Sequence, residues 1–301
     1  MGDDLAEPGR RAGTIHTRTR EGRVSTTDAP RYAPEWLELR EGADAAARAS
    51  GLLDPLHGYL RRGDAGLVIR DLGCGTGSMG RWLAPRLNGP QHWILHDHDP
   101  ALLELAAVRM PRTAADGSRV TVAVEPGDIG RLTAEDLAGT SLLTASALLD
   151  VLTRDEVDTL AKACAAAGCP ALLALSVVGR VKLTPAEPLD AELAAAFNAH
   201  QRGAGMLGPD AVTVACEVFA RRGMSVRAHP SPWRLGPDES ALTAQWLRGW
   251  VGAACEQRPA LAQRAEAYLR RRLAACEAGE LRAVVHHSDL LALPRPAGGT
   301  R

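Results

Sequence analysis

The stretch DLGCGTGSMG, from Asp71 to Gly80, combines a carboxylate with closely spaced glycines in a chain of 301 residues. Two glycine patterns overlap in it. Gly73, Gly75 and Gly77 follow Asp71 as D-x-G-x-G-x-G, whereas Gly75, Gly77 and Gly80 form G-x-G-x-x-G, the fingerprint of dinucleotide sites. Glycines allow the backbone to approach a ligand closely, so both patterns predict a binding loop. They predict different ligands.

The charge at the start of the loop distinguishes these ligands. A dinucleotide site holds a pyrophosphate at a helix N-terminus, where the helix dipole favours negative charge. Asp71 would repel that group. The same carboxylate would stabilise S-adenosylmethionine, which carries a sulfonium and an ammonium group and no phosphate. We therefore expect S-adenosylmethionine as the cofactor and an NAD-dependent oxidoreductase as a distant alternative, with Gly80 as a helix residue that lets the first turn pack closely on the sheet.

Two further acids follow later apolar segments. Asp97 ends HWILHD, 20 residues beyond Gly77, where an acid pairs with ribose hydroxyls in either class of cofactor. Asp128, in EPGDIG, is placed to accept a hydrogen bond from an adenine amino group, with Ile129 against the ring. Asp128 supports the S-adenosylmethionine interpretation, because NAD enzymes have no general need for an acid at this position.

The elements that position these acids alternate between strands and helices. Five apolar segments, GLVIRDLG, HWILHD, RVTVAVEPGD, GTSLLTASALL and CPALLALSVV, are predicted strands, and helical periodicity separates several of them. A Thr-x-x-Glu capping box at Thr153 and Glu156 begins one of the helices. This alternation predicts an α/β fold with a parallel sheet and helices on both faces.

The motifs VIRDLGCGTG, LHDHDP, GDIG and LLTASALLDVL, over roughly residues 65–180, resemble those of the class I S-adenosylmethionine-dependent methyltransferases. The resemblance implies an enzyme with a Rossmann-like, doubly wound, seven-stranded sheet, mostly parallel with an antiparallel last strand. His98 departs from the family, which often has an apolar residue there, but an imidazole can also stack under adenine. The implied cofactor-binding residues, with the methionine end first, are Asp71, Gly73, Cys74, Gly75, Gly77, Asp97, His98, Asp128, Ile129 and Ser146.

Composition and pattern also predict the organisation of the chain. We expect disordered tails at 1–28 and 296–301, an N-terminal helical cap at 29–64 and a methyltransferase domain at 65–295. Within that domain we expect a substrate-cap segment at 181–210 and a helical insertion at 236–279. Such a cap indicates an enclosed pocket, and hence a small organic acceptor.

Residues expected at the carboxyl edge of the sheet are candidates for the acceptor site. His200 is a candidate base or orienting group, with a solvated helix residue as an equally weighted alternative. Arg40 is a candidate partner for the methionine carboxylate, although an ordinary surface arginine is the commoner case. The candidate substrate-binding residues are Tyr32, Trp36, Asp150, Asn198, Gln201 and Trp233.

The bulk properties narrow the choice of partners. The net charge of -1 provides no general attraction for nucleic acid, and the six cysteines and nine histidines show no zinc-type spacing. The absence of a long apolar run or signal peptide predicts a cytoplasmic location without membrane association, and the Ala- and Arg-rich composition suggests a bacterial source. We therefore expect methyl transfer to oxygen or nitrogen of a small molecule, with oxygen slightly favoured and no metal ion. The alternatives are an RNA or protein methyltransferase and a non-catalytic S-adenosylmethionine-binding protein.

Overall fold

The computed structural model describes residues 33–60, 66–127 and 132–295. The predicted tails at 1–28 and 296–301 lie outside the described residues, as do Tyr32, Asp128 and Ile129. The helices are α1 (Pro34–Ala47), α2 (Leu53–Leu60), α3 (Ser78–Leu83), α4 (Pro100–Arg109), α5 (Arg154–Ala167), α6 (Leu189–Gln201), α7 (Ala211–Arg221), α8 (Ser240–Gln257) and α9 (Ala262–Glu277). The strands are β1 (Leu67–Leu72), β2 (Gln91–Asp97), β3 (Val120–Pro126), β4 (Leu142–Ser146), β5 (Ala171–Thr184), β6 (Met224–Pro230), β7 (Trp233–Leu235) and β8 (Arg282–Pro294).

The strands form one sheet in the order β3-β2-β1-β4-β5-β8-β6. Neighbours among β1 to β5 pair in parallel, and β8 is antiparallel to both β5 and β6. The predicted α/β fold, with a doubly wound sheet and an antiparallel last strand, is thus confirmed; the short β7 adds to it by pairing with β8. The strand order reverses between β1 and β4, and ligands of such sheets bind beyond the carboxyl ends of the strands at this point.

Helices cover both faces of the sheet. One core joins the sheet to α5 and α7, with Val157 and Phe219 buried in it. The core on the other face includes Leu56 of α2, Trp82 of α3 and Leu103 of α4. Parallel strands covered on both faces are expected to be buried along most of their length, as β2 and β4 are.

The fifth strand is longer than the predicted segment CPALLALSVV. It pairs with β4 only as far as Ala174, whereas β8 follows it to Thr184, opposite Arg282. β7 lies on the other side of β8, with Trp233 opposite Val285. The outer parts of β5 and β8 therefore extend past the carboxyl edge of the parallel strands and begin a second layer of structure there.

A third hydrophobic core surrounds these outer strands. Its buried residues come from β5, α6, α8 and α9, and Trp36 and Leu39 of α1 pack against it. Leu193, Trp250 and Tyr268 are central members. Segments that the sequence suggested as a cap, a substrate segment and an insertion thus share one core at the edge where a ligand is expected.

Local signals in the sequence agree with the starts and ends of the helices. α3 ends at Leu83, and a single 3-10 turn containing Pro85 follows. Proline has no backbone N–H to donate, so it does not continue an α-helix. A Cβ at Gly80 would overlap the Sδ of Met110, so glycine allows α3 to pack closely there. Thr153 and Glu156 form the predicted capping box of α5.

Candidate cofactor and acceptor site

The glycine loop connects β1 to α3. Gly73, Gly75 and Gly77 have φ angles of 58°, 53° and 86°, in the left-handed region that glycine adopts without strain. The Cys74 amide of the loop donates to the carbonyl of His96 at 2.9 Å, and this hydrogen bond holds the loop against β2. The three positions need glycine for backbone conformation alone, and they lie at the reversal in strand order.

Asp71, near the end of β1, is completely buried. The Thr144 hydroxyl of β4 donates to its Oδ1 at 2.7 Å, and its Oδ2 has no hydrogen-bond partner in the described structure. Burial raises the pKa of Asp71 to about 7, against the opposing effects of the Thr144 hydrogen bond and the Arg48 charge. A buried carboxylate with one unused oxygen suits a cationic ligand group.

Arg48 lies just beyond α1 and is only 4% exposed. Its Nη2 donates to Ser78 Oγ at 3.1 Å and to Ser146 Oγ at 3.2 Å, which ties the start of α3 to the end of β4. Nε and Nη1 are buried and have no hydrogen-bond partner among the described residues. Burial lowers the pKa of Arg48, and the charges of Asp44, Asp289 and Asp71 oppose that effect. The unused side of this guanidinium is suited to binding a carboxylate.

Asp97, at the end of β2, is hydrogen-bonded to two backbone amides. Its Oδ2 accepts from Gly75 N at 2.9 Å and its Oδ1 from Asp99 N at 3.0 Å. Each carboxylate oxygen has a further lone pair available for a hydroxyl donor. His98 Nδ1 lies 3.3 Å from Oδ1, with its side chain partly exposed. The structure therefore brings Asp97, His98 and the glycine loop together.

Helix α1 lies across the glycine loop. A Cβ built on Gly75 would be 3.1 Å from the Cδ1 of Leu37. Glu41 accepts two hydrogen bonds from Arg81 of α3, from Nε at 2.7 Å and from Nη2 at 2.5 Å. The helix is thus fastened directly to the element that follows the loop.

Arg40 is on the same helix but is already paired. Its Nε donates to Asp44 Oδ2 at 2.9 Å and its Nη2 to Oδ1 at 3.2 Å. Trp233 Nε1 also donates to Asp44 Oδ1 at 2.9 Å, and the Arg40 guanidinium lies 5.0 Å from the centre of the Trp233 ring. Trp36 meets Trp233 edge-on at 6.5 Å between ring centroids. Arg40 and both tryptophans therefore lie together. Arg48, by contrast, contacts Ser78 at the end of the glycine loop and Ser146 at the end of β4.

Asp150 follows β4 in a short 3-10 turn. Ala147, with a φ of 54°, redirects the chain after Ser146. Two residues before Asp150, Leu148 extends its Cδ1 to 3.3 Å from a Cβ built on Gly73. Asp150 Oδ1 is buried and lacks a hydrogen-bond partner among the described residues. Burial raises the pKa of Asp150, against a hydrogen bond from its own backbone amide and the Arg40 charge.

Two buried residues of β8 were not among the candidate site residues chosen from the sequence. Asp289 accepts from Leu175 N at 2.7 Å and from Ala49 N at 2.8 Å, so it links β5 to the chain after Arg48. The His287 ring lies 5.1 Å from the Trp233 ring, and burial lowers the pKa of His287 to about 3. Only the HHSD sequence in an apolar strand could have suggested them.

The three candidates on α6 have other surroundings. Asn198 Nδ2 donates to the carbonyl of Gly179 at 2.8 Å. His200 Nε2 lies 3.2 Å from Glu256 Oε2 of α8, with both side chains largely exposed. A Cβ on Gly208 would meet the backbone of Gln201 at 3.0 Å. These contacts support β5, α8 and the chain after α6, and they favour the alternative in which His200 is an ordinary surface residue.

The described ranges contain neither a metal-binding cluster nor a membrane-spanning helix. No group of three or more His, Cys, Asp or Glu side chains there is placed to hold a metal ion. None of the helices in those ranges is long and apolar enough to cross a membrane.

No protein-family model and no curated protein matches this chain. Solved structures do match. An S-adenosylmethionine-dependent methyltransferase from Geobacter sulfurreducens, in complex with S-adenosylhomocysteine, is 17% identical with a TM-score of 0.44, over 87% of this chain and 99% of that chain. A second S-adenosylmethionine-dependent methyltransferase, from Thiobacillus denitrificans and also in complex with S-adenosylhomocysteine, is 17% identical with a TM-score of 0.43, over 89% of this chain and 100% of that chain. A cyclopropane synthase from Mycobacterium tuberculosis is 13% identical with a TM-score of 0.42, over 80% of this chain and 83% of that chain. At these similarities, function has to be inferred from the site.

Proposed function

We propose that this protein is an S-adenosylmethionine-dependent methyltransferase acting on an oxygen or nitrogen of a small molecule. The observation that carries the proposal is the pair of incompletely satisfied buried charges beside the glycine loop. Asp71 has an unused carboxylate oxygen, and Arg48 has two unused donors, within the described structure. A methionine end presents the complementary groups, an ammonium and a carboxylate.

The remaining residues of the site suit the rest of the donor. Asp97 retains acceptor capacity for ribose hydroxyls, and the loop glycines present backbone without side chains. Asp128 and Ile129 are expected at the adenine. When bound, S-adenosylmethionine supplies the activated methyl group; the protein supplies orientation and proximity, which methyl transfer chiefly requires.

The same charges disfavour a dinucleotide. Asp71 is fully buried, so its carboxylate is not screened by water and would oppose a pyrophosphate strongly when ionised. α3, which follows the loop, is six residues long, and its Ser78 hydroxyl already accepts from Arg48. An NAD-dependent oxidoreductase is therefore a poorer fit to this loop.

Packing above the loop supports a small acceptor. α1 crosses the loop and joins α6, α8 and α9 in the third core, so a compact set of elements covers the carboxyl edge of the sheet. A net charge of -1 also gives little attraction for an RNA backbone. An RNA or protein methyltransferase would need an extended groove at this edge instead.

Calorimetric titration tests the cofactor assignment. We expect S-adenosylmethionine and S-adenosylhomocysteine to bind with micromolar affinity and NAD to give no heat of binding. Tight binding of NAD would overturn the assignment. Transfer of labelled methyl to members of a metabolite library would then separate an enzyme from a non-catalytic binder, because only the enzyme gives a methylated product.

A further inference from the structure

Asp150, on the acceptor side of the site, is a half-buried residue whose carboxylate oxygen Oδ1 is buried. We propose that it is the catalytic base that takes the proton from the attacking hydroxyl or amine of the methyl acceptor. The inference rests on the proposed function, and it assigns the base to the turn after β4 rather than to α6.

Position is the first reason. The segment from Ser146 to Asp150 runs from Arg48, which donates to Ser146 Oγ, to the neighbourhood of Arg40 on α1. Leu148, between these two points, lies against Gly73 of the loop. Asp150 therefore lies two residues beyond a contact with the loop and within reach of the Arg40 charge, and an acceptor would approach a donor held by the loop from this side.

The charge around Asp150 is the second reason. Arg40 is the cation near it, and Arg40 already makes two hydrogen bonds to Asp44. Asp210, at the end of the adjacent 208–210 turn, pairs with Arg202. The remaining neighbours from β5 and α7 belong to the apolar core around Leu149. Asp150 Oδ1 thus has no donor among the described residues, and an acceptor O–H or N–H would provide one.

The proton balance of the step is simple. A lone pair of the acceptor oxygen or nitrogen forms the bond to the methyl carbon, while the carbon–sulfur bond breaks and its electrons remain on sulfur. The acceptor loses its proton to Asp150 Oδ1, and the carboxyl then releases it to solvent. A carboxyl with a raised pKa holds that proton more readily than an exposed aspartate does.

His200 and His287 are less suitable as the base. His200 is exposed and faces Glu256 on the α6–α8 surface. His287 is buried against Trp233, and with a pKa of about 3 it is too weak a base to hold a proton near neutral pH. The Oδ1 of Asp150, by contrast, is buried and has no hydrogen-bond partner among the described residues.

Sinefungin tests this placement without knowledge of the acceptor. In this donor analogue an amine-bearing carbon replaces the methylated sulfur, so its ammonium marks the position of the transferred methyl. We expect Asp150→Asn to weaken sinefungin binding about tenfold or more while changing S-adenosylhomocysteine binding less than about twofold. Asp155→Asn, at an exposed position on α5, is the matched control and should change neither.

The outcomes separate the two proposals. If wild-type protein does not bind S-adenosylhomocysteine, the proposed function fails, and the assignment of Asp150 fails with it. If Asp150→Asn binds both compounds as wild type does, the base is not Asp150, although the proposed function stands.

If the variant loses affinity for both compounds equally, the pH dependence of binding to the wild-type protein decides. Its preference for sinefungin over S-adenosylhomocysteine should fall as the pH drops through the raised pKa of Asp150. Asp71 faces the ammonium common to both compounds, so its protonation cancels in this ratio. A constant ratio from about pH 8 to about pH 4 would overturn the assignment.

Discussion

The donor side and the acceptor side of this site are built differently. On the donor side, Asp71, the glycine loop and Asp97 come from 27 consecutive residues, which run from β1 through the loop and α3 to the end of β2. On the acceptor side, Arg40, Asp150, Trp233 and His287 come from four separate elements spread over most of the chain. Apart from Arg48, the donor side thus depends on local backbone geometry, whereas the acceptor side depends on long-range packing.

This difference predicts which substitutions affect which function. Changes beside the loop should alter affinity for the donor with little effect on folding of the third core. Changes under α1 should alter stability or acceptor chemistry and leave donor affinity nearly constant.

The largest effect is expected at Asp97. Asp97→Ala removes the acceptor for ribose hydroxyls and also the hydrogen bond from Gly75 N. Each hydrogen bond to a charged group contributes about 1.5–3 kcal/mol, so affinity for S-adenosylhomocysteine should fall about 100-fold or more. Calorimetry measures this directly. Asp99→Ala is the control: Asp99 caps α4 by accepting from Ala101 N, and its loss should leave affinity within about threefold. Equal losses in the two variants would contradict the role of Asp97.

A smaller effect is expected from pH through Asp71. Its pKa is about 7 in the folded protein and 3.8 ordinarily. Above pH 7 the ionised carboxylate can pair with a ligand ammonium, so affinity for S-adenosylhomocysteine should fall about three- to tenfold as the pH drops through that value. Asp71→Asn should flatten the dependence.

The stability of the unliganded protein should respond to Asp71 in the opposite direction. A raised pKa means that the protonated form is favoured in the folded state, so this contribution is complete below pH 3.8 and is lost as pH rises through about 7. Thermal unfolding of wild type and Asp71→Asn at several pH values gives the comparison. Parallel pH profiles for stability and affinity would contradict this account.

On the acceptor side, Trp233→Phe should affect stability alone. It removes the Nε1 donor to the buried Asp44 carboxylate, at a cost of about 1–3 kcal/mol in the free energy of unfolding. Donor affinity should remain within about twofold. Trp246→Phe, at a residue that stacks on Trp250 in α8, is the matched control with a smaller cost. A large loss of donor affinity in Trp233→Phe would show that the two sides are not independent.

The same contrast explains what could be predicted from the sequence. Asp71, the three glycines and Asp97 were identifiable because short motifs determine both their conformation and their neighbours. Arg48 was not, since nothing in REGADAAARAS distinguishes it from Arg40, and its partners Ser78 and Ser146 lie 30 and 98 residues away.

The acceptor side shows the limit more clearly. The outer part of β5, with Gly179, Arg180 and Lys182 in it, lacks the apolar run of a central strand, and its partner β8 is about 100 residues further along the chain. His200 was chosen for its chemistry, whereas its position on the α6–α8 surface depends on a helix that pairs with it only in the folded protein. Chemical type was readable from the sequence, and side-chain direction was not.

The central claim is that Arg48, and not Arg40, completes the donor site. Titration of S-adenosylhomocysteine into Arg48→Met and Arg40→Met tests it most directly, because the two variants lose the same charge about two helical turns apart in the same segment. We predict that Arg48→Met weakens binding about tenfold or more, through loss of the carboxylate partner, and that Arg40→Met changes it less than about twofold. Equal affinities in the two variants, or a greater loss in Arg40→Met, would contradict the account.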